Sequence, residues 1–298
     1  MRVVFNAQFR QAADEINRTA SDLAVAQQRV SSGRRITRPS DDPAGASSAV
    51  TDHAALGTLD AYTKTADTAT SRLAVVDTTL SDMVNKLAAA QTAAASARGS
   101  SAGQSQRDAA AATLRGITDA LVSDFNAQFH GAYLFSGSLA TTAPYAAGAG
   151  GVISSYQGNA TTMSVDLGQG RPLQTAFVGS GIAQGSDATD VFTVLANLIT
   201  AVTSGDAVGI GLGMAGLDRA TDRATLAQTQ VGTNLNALDD ARARLSAQRL
   251  DVGAQLSKTE DANMASAITQ MSQADTAYRA ALGAFSKVGS VSLMDYLR

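Results

Sequence analysis

Residues 5–30 read FNAQFRQAADEINRTASDLAVAQQRV. Phe5, Phe9, Ala12, Ile16, Thr19, Leu23, Ala26 and Val30 fall at alternating intervals of four and three, the seam of a coiled coil. As a single helix this stretch is about 40 Å long. The other end of the chain repeats the pattern in Met264, Ala267, Met271, Ala274, Tyr278, Ala281, Phe285 and Val288, with Ile268 and Leu282 widening the stripe. Neither helix can bury its stripe alone, because an amphipathic helix draws most of its stability from packing that face. The two chain ends are therefore expected to pair with each other and with copies in neighbouring subunits.

Working inward, the same alternation continues. Leu73, Val76, Leu80, Met83, Leu87 and Ala90 place residues 48–97 in one long helix or two in register. Gly99 to Gly103 breaks it, and Ser105 followed by Asp108 predicts a capping box for a third helix whose face runs Leu114, Ile117, Leu121, Phe125, Phe129. A late helix carries Val231, Leu235, Leu238, Leu245, Val252 and Leu256. Long helices of this kind make a bundle. The centre differs, since 16 of the 26 glycines lie between 131 and 216. Met163, Val165 and Leu167, then Leu173, Thr175 and Phe177, alternate with period two around Gly168-Gln169-Gly170, which predicts a hairpin. Val152–Tyr156 is expected to add a strand, and 191–202 a short helix. The fold class is mainly α: terminal helices forming a discontinuous coiled-coil domain, a long-helix bundle, and a small inserted β-rich domain.

Composition agrees with thin helical layers. Of 298 residues, 45% are hydrophobic but only 5% aromatic, and none is Trp. The apolar share is largely Ala, which favours helix and contributes little area per residue. Charged residues make up 16%, below the roughly 25% of ordinary domains. A net charge of −3 and a pI near 5.3 provide no electrostatic footprint for nucleic acid or an anionic membrane. The absence of Cys excludes disulfides, thiolate nucleophiles and Cys-ligated metal. No run is long enough for a transmembrane helix. Arg2, Arg10 and Arg18 with Asp14 and Glu15 interrupt the N-terminus where a signal peptide needs an apolar core, so an extracellular destination implies another route.

Enzyme chemistry finds no support. Gly211-Leu212-Gly213-Met214-Ala215-Gly216 matches the dinucleotide-binding glycine pattern, with Asp239 and Asp240 a little over twenty residues on. That reading needs a strand before the glycines and another before the acid, and helical patterns occupy both places. His53 and His130 are the only histidines; they are placed on different helices, with no acid at ligand spacing. Asp41 and Asp42 are adjacent, precede a proline and stand among arginines, so neither is poised as a proton donor. No catalytic, cofactor-binding or metal-binding residue is expected.

The connector between the first and second helices, residues 31–45, reads SSGRRITRPSDDPAG. Gly33 is a helix C-cap, Pro39 and Pro43 interrupt any continuous helix, and Arg34, Arg35 and Arg38 face Asp41 and Asp42 in opposite charge. Ion pairs among these five, within or between subunits, are expected to lock the turn. By physics alone this is a polar loop; its wording is more specific. It resembles the N-terminal signature of the bacterial flagellin family, in which Ser-Gly-x-Arg-Ile-Asn is followed by Asp-Asp-Ala-Ala-Gly. Arg38-Pro39-Ser40-Asp41-Asp42-Pro43 is similar to the version typical of members that join hook to filament. Residues 131–137 (GAYLFSG) and the terminus Ser292-Leu293-Met294-Asp295-Tyr296-Leu297 agree, while Ala44-Gly45 and Arg298 lean toward the filament type. A filament flagellin or a cell-surface flagellin homologue therefore stays open as the alternative.

The resemblance implies a structural subunit rather than an enzyme, exported through the flagellar type III apparatus without a cleaved signal. It also implies a ring of identical subunits between hook-associated protein 1 and flagellin, and a cytoplasmic export chaperone covering the C-terminal helix. The expected division is 1–45 and 258–298 for the inner coiled-coil domain with its connector, 46–137 and 191–257 for the bundle, and 138–190 for the insert. The expected subunit interface comprises Phe5, Phe9, Ile16, Leu23, Val30, the five connector charges, Met264, Ile268, Met271, Tyr278, Leu282, Phe285, Leu293, Tyr296 and Leu297.

Overall fold

Seven helices form among the described residues: α1 (Arg2–Ser32), α2 (Pro43–Ala97), α3 (Gln104–Phe125), α4 (Gly179–Ala183), α5 (Val191–Ser204), α6 (Ala207–Glu260) and α7 (Met264–Tyr296). A computed structural model describes residues 2–99, 102–148, 152–168 and 172–296, with side chains described except at 2–6, 8 and 288–296. Two antiparallel pairs of short strands accompany the helices. β1 (Gln128–Phe129) pairs with β2 (Ala132–Tyr133), and β3 (Ser164–Val165) pairs with β4 (Leu173–Gln174). The chain divides into two compact units, 1–60 with 247–298 and 61–246. Both boundaries fall inside continuous helices, α2 and α6, rather than at breaks in the helical pattern.

The second unit, 61–246, carries the main core. On α2 the predicted stripe Leu73, Val76, Leu80, Met83, Leu87 and Ala90 is buried throughout. It joins Leu114 and Leu121 of α3, Leu195 and Leu198 of α5, and Ile210, Leu217, Val231 and Leu238 of α6 in one cluster. An aromatic knot closes one end. The Phe125 ring lies 6.0 Å from Phe135, 5.3 Å from Tyr145 and 5.6 Å from Phe192, all tilted edge to face. That geometry suits the ring quadrupoles and adds to the area buried. Asp190 caps α5 by accepting from the Thr193 N–H at 2.7 Å, and Gly205 at φ 74° ends it. Arg223 secures the short α4, donating to the carbonyls of Ile182 and Ala183 at 3.0 Å while pairing with Asp187 at 2.6 Å.

Several local expectations are corrected. α3 begins at Gln104 with Gly103 as its cap, not with a Ser105–Asp108 capping box; Asp108 accepts from the Gln104 amide instead, at 2.9 Å. The same helix ends at Phe125, so Phe129 lies in β1. His130 sits at φ 51° in the β1–β2 turn, stacked on Phe129 at 4.2 Å, rather than on a helix. The 163–177 hairpin forms, in the register Ser164 to Gln174 and Val165 to Leu173. Val152–Tyr156 supplies only a single bridge, Ala147 to Ile153.

The Gly211–Gly216 run lies wholly inside α6, so the strand required for dinucleotide binding is absent there. Two of its glycines serve packing. A Cβ on Gly213 would come within 2.8 Å of Leu198, and one on Gly216 within 2.7 Å of Val194, which lets α5 lie close on α6. Gly137, in the GAYLFSG stretch, has φ 70° and would place a Cβ 2.3 Å from the Asn159 carbonyl oxygen. Gly137→Ala thus combines left-handed strain with a backbone collision. The expected loss is about 1–3 kcal/mol of unfolding free energy, measured by denaturant titration.

Candidate functional site: the connector and the terminal helix pair

In the unit formed by residues 1–60 and 247–298, α1 packs along α7. The Phe9 and Phe285 rings approach to 4.9 Å, and Ala26 shares a groove with Ala274, so the two helices run antiparallel. Ala12, Ile16, Thr19, Leu23 and Val30 are half-buried and Ala26 is buried. Opposite them Ala267 is buried, and Met271, Ala274, Tyr278, Ala281 and Phe285 are half-buried. The three–four seam of each end therefore faces the other end of the same chain. Phe9 (43% exposed), Met264 (42%), Ile268 (50%) and Leu282 (41%) keep much of their surface in solvent. Small Ala positions limit what the seam can cover.

The connector is built where both chain crossings meet. α1 ends at Gly33, which adopts φ 69° and donates its N–H to the Arg29 carbonyl at 3.0 Å. Gly33–Arg35 then runs antiparallel to Glu260–Ala262. The Arg35 N–H donates to the Glu260 carbonyl at 2.7 Å and the Ala262 N–H to the Gly33 carbonyl at 2.8 Å. Glu260 is buried to 8% exposure, and both its carboxylate oxygens are used. Arg34 reaches Oε1 at 2.8 Å and His53 Nε2 lies 2.9 Å from Oε2. Arg35 bridges Asp42 at 3.1 Å and the Thr259 carbonyl at 2.8 Å. Asn263 caps α7 by accepting from the Ser266 N–H at 3.1 Å.

The two aspartates act mainly on backbone. Asp41 accepts from the N–H groups of Thr37 (3.1 Å) and Arg38 (3.0 Å) and from the Thr37 hydroxyl. Asp42 accepts from the Gly45 N–H at 3.0 Å, which makes it the N-cap of α2 ahead of Pro43. Hydrogen bonds from the Thr37 and Arg38 amides hold the Asp41 carboxyl below the ordinary 3.8. The Gly45 amide, then the Arg35 guanidinium, do the same for Asp42. A depressed folded-state value means that these caps stabilise the connector above the ordinary carboxylate pKa and are lost as pH falls through the lowered one. The amide resonances of Thr37, Arg38 and Gly45 are expected to shift together on acidification below pH 3.8. Asp42→Asn is expected to remove the Gly45 titration alone.

The expected mutual lock of five charges is thus only partly formed inside one chain. Arg35 and Asp42 pair as anticipated. Arg34 instead turns to Glu260, and Asp41 caps the 37–41 turn in place of an arginine partner, because amides three and four residues away lie within its short reach. Arg38 is exposed. Among the terminal positions, Phe9, Ile16, Leu23, Val30, Met271, Tyr278 and Phe285 meet at the seam, whereas Met264, Ile268 and Leu282 lie beside it. Phe5, Leu293 and Tyr296 lie on α1 and α7 with side chains outside the description, and Leu297 is outside the described residues. The residue missed from sequence is Glu260. Its partners Arg34 and His53 lie more than 200 positions away, and no local pattern links them. Among the described residues no group of three His, Asp or Glu side chains can hold a metal ion, and no helix is long and apolar enough to cross a membrane.

Comparison with known proteins matches both ends of the chain. Residues 4–140 fit the bacterial flagellin N-terminal helical region, and residues 214–297 fit the bacterial flagellin C-terminal helical region. A flagellar hook-associated protein 3 of Salmonella typhimurium is 26% identical over 183 residues, which is 61% of this chain and 56% of that protein. The chain thus matches little more than half the length of that relative. The solved flagellar hook associated protein-3 of Legionella pneumophila superposes with a TM-score of 0.63 at 13% identity, covering 70% of this chain and 97% of the other. The flagellar junction protein FlgL of the same organism gives 0.59 at 14% identity, covering 72% and 100%. At those identities the likeness is one of fold. With the flagellin N- and C-terminal regions matched on the same helices that build the terminal pair and the connector, the chain belongs to the bacterial flagellin family.

Proposed function

We propose that the chain is a structural subunit of the bacterial flagellum, placed at the junction of hook and filament. The observation that carries this is the terminal helix pair: the matched flagellin regions close a seam within one chain and still leave Phe9, Met264, Ile268 and Leu282 about half in solvent. Such surface gains most when further copies cover it, so assembly and the final ordering of the ends are coupled. The relatives named as hook-associated protein 3 and junction protein favour the junction over the filament. In this reading residues 1–45 and 258–298 form the inner layer of a ring of identical subunits, with the connector charges at subunit contacts. Hook-associated protein 1 lies on one side of the ring and flagellin on the other. A cytoplasmic chaperone covers α7 before export through the flagellar type III apparatus. Ala44-Gly45 and Arg298 favour a filament flagellin as the second reading.

Immunogold labelling of flagella separates the two. A junction subunit labels a single spot at the cell-proximal base of each filament. Label distributed along the filament overturns the junction reading in favour of the second, and no label on flagella overturns both.

A further inference from the structure

Within the unit of residues 1–60 and 247–298, α2 and α6 run antiparallel beyond the connector. His53 Nε2 lies 2.9 Å from Glu260 Oε2 and Arg249 Nε lies 2.9 Å from Asp60 Oδ1, which fixes their alignment. None of the described residues 50–60 and 247–259 is buried, although Ala49 and Glu260 are. Leu56, Leu59, Val252 and Leu256 are half-buried, while Val50 (69% exposed) and Leu250 (72%) stand in solvent. Two helices joined this thinly have little core to resist bending, because packing supplies most of a helix's stability.

Both helices carry a glycine in this stretch. Gly57 lies between His53 and Asp60, and Gly253 between Arg249 and Glu260, so the same two side-chain pairs bracket both. The glycines therefore stand within about one helical turn of each other along the ribbon. A Cβ on either would meet nothing within 4 Å. Packing does not require glycine at these two positions, unlike Gly213 and Gly216, where a side chain would collide. An interior glycine without such a need weakens a helix relative to alanine, since its backbone is free to take other conformations. Gly232 of α6 is equally open, but it adjoins the fully buried Val231.

We propose that α2 and α6 bend together at Gly57 and Gly253, so that the connector and the terminal helix pair swing as one piece on a two-helix hinge. The bracketing pairs hold the helices side by side on both sides of the glycines, so a bend in one is passed to the other. Asp60 and Arg249 are each more than half exposed, so their pair keeps alignment without stiffening the ribbon. A hinge absorbs its change over a few residues, and the paired glycines supply them. Under the reading of the chain as a junction subunit, the bend lets its ends meet unlike neighbours on two sides. The bend itself does not depend on that reading.

The chain has no cysteine, so paired spin labels can be introduced without background. Ser48→Cys with Ser71→Cys spans Gly57 on α2. Ser71→Cys with Ser96→Cys spans a similar length of the same helix where the Leu73–Ala90 stripe is buried, and all three serines are exposed. Pulsed electron paramagnetic resonance on the purified full-length chain is expected to give a distance distribution at least twofold broader for the first pair. Adding Gly57→Ala and Gly253→Ala is expected to narrow it to the width of the second pair, with no loss of helical content by circular dichroism. Gly232→Ala is expected to leave both widths as they were. Equal widths for the two pairs in the otherwise unaltered chain overturn the hinge. A first pair that stays broad in the G57A/G253A chain, or that narrows with G232A alone, overturns the assignment of the bend to these glycines.

Discussion

Phe125→Ala will lower the unfolding free energy of the 61–246 unit by about 3–5 kcal/mol, the range for emptying a buried aromatic site. Phe125 is 3% exposed and touches the rings of Phe135, Tyr145 and Phe192, which come from the 131–137 stretch, the chain between β2 and β3, and α5. The four rings are held by different parts of the chain, so none can move into the vacated space without shifting its own element. The loss should appear in calorimetry or denaturant titration as a lower midpoint. Phe125→Leu, which keeps most of the volume, should recover more than half of it. With so few aromatics in the chain, this knot anchors the insert to the helices. Proteolysis between residues 138 and 178 should therefore accelerate in the alanine variant. A change under about 1 kcal/mol would show that the insert is secured elsewhere.

Glu260→Ala will free the connector. Glu260 is the buried acceptor for Arg34 and lies 2.9 Å from His53, and its backbone carbonyl accepts from Arg35. Both partners are about half exposed, so water screens part of the interaction. The expected cost is about 1–3 kcal/mol to the unit of residues 1–60 and 247–298. Loss of the carboxylate should also shift the His53 ring resonances, which report this site and not the distant core. Glu260→Gln keeps the shape and one acceptor oxygen, and should restore most of the stability while losing the salt dependence. If the alanine variant melts normally and leaves His53 unshifted, the pinned crossing of Gly33–Arg35 and Glu260–Ala262 rests on its backbone hydrogen bonds alone.

The comparison of sequence with structure turns on range. Patterns with a helical or strand period were legible because they depend on neighbours within one turn or one hairpin. The stripe from Leu73 to Ala90, the terminal seams, the Gly33 cap, the 191–202 helix and the 163–177 hairpin all belong here. Errors arose where a local signal had a nearby competitor. Ser105–Asp108 reads as a cap, yet Gly103 in extended conformation starts the helix two residues earlier. Phe129 fits a helical stripe, yet Gly131 permits a turn that takes it into a strand. The glycine run at 211–216 resembles a phosphate loop until its neighbour α5 is in place, whereupon Gly213 and Gly216 prove to be the room that Leu198 and Val194 require.

By itself, then, the sequence determined the helical class, the matching apolar seams of the two ends and the family wording of the connector, because each is written in contiguous residues. Only the tertiary structure decided which charges meet. Arg34 had Asp41 and Asp42 within a few positions, and the fold carried it to Glu260, more than 200 residues on, because α1 and α6 end at the same level and their backbones cross. Only the tertiary structure also divided the terminal residues into a covered seam, an exposed ridge and an open groove. A heptad pattern specifies which face is apolar. How much of that face one partner helix can cover depends on the interaxial packing of alanines against alanines, a property of two surfaces together.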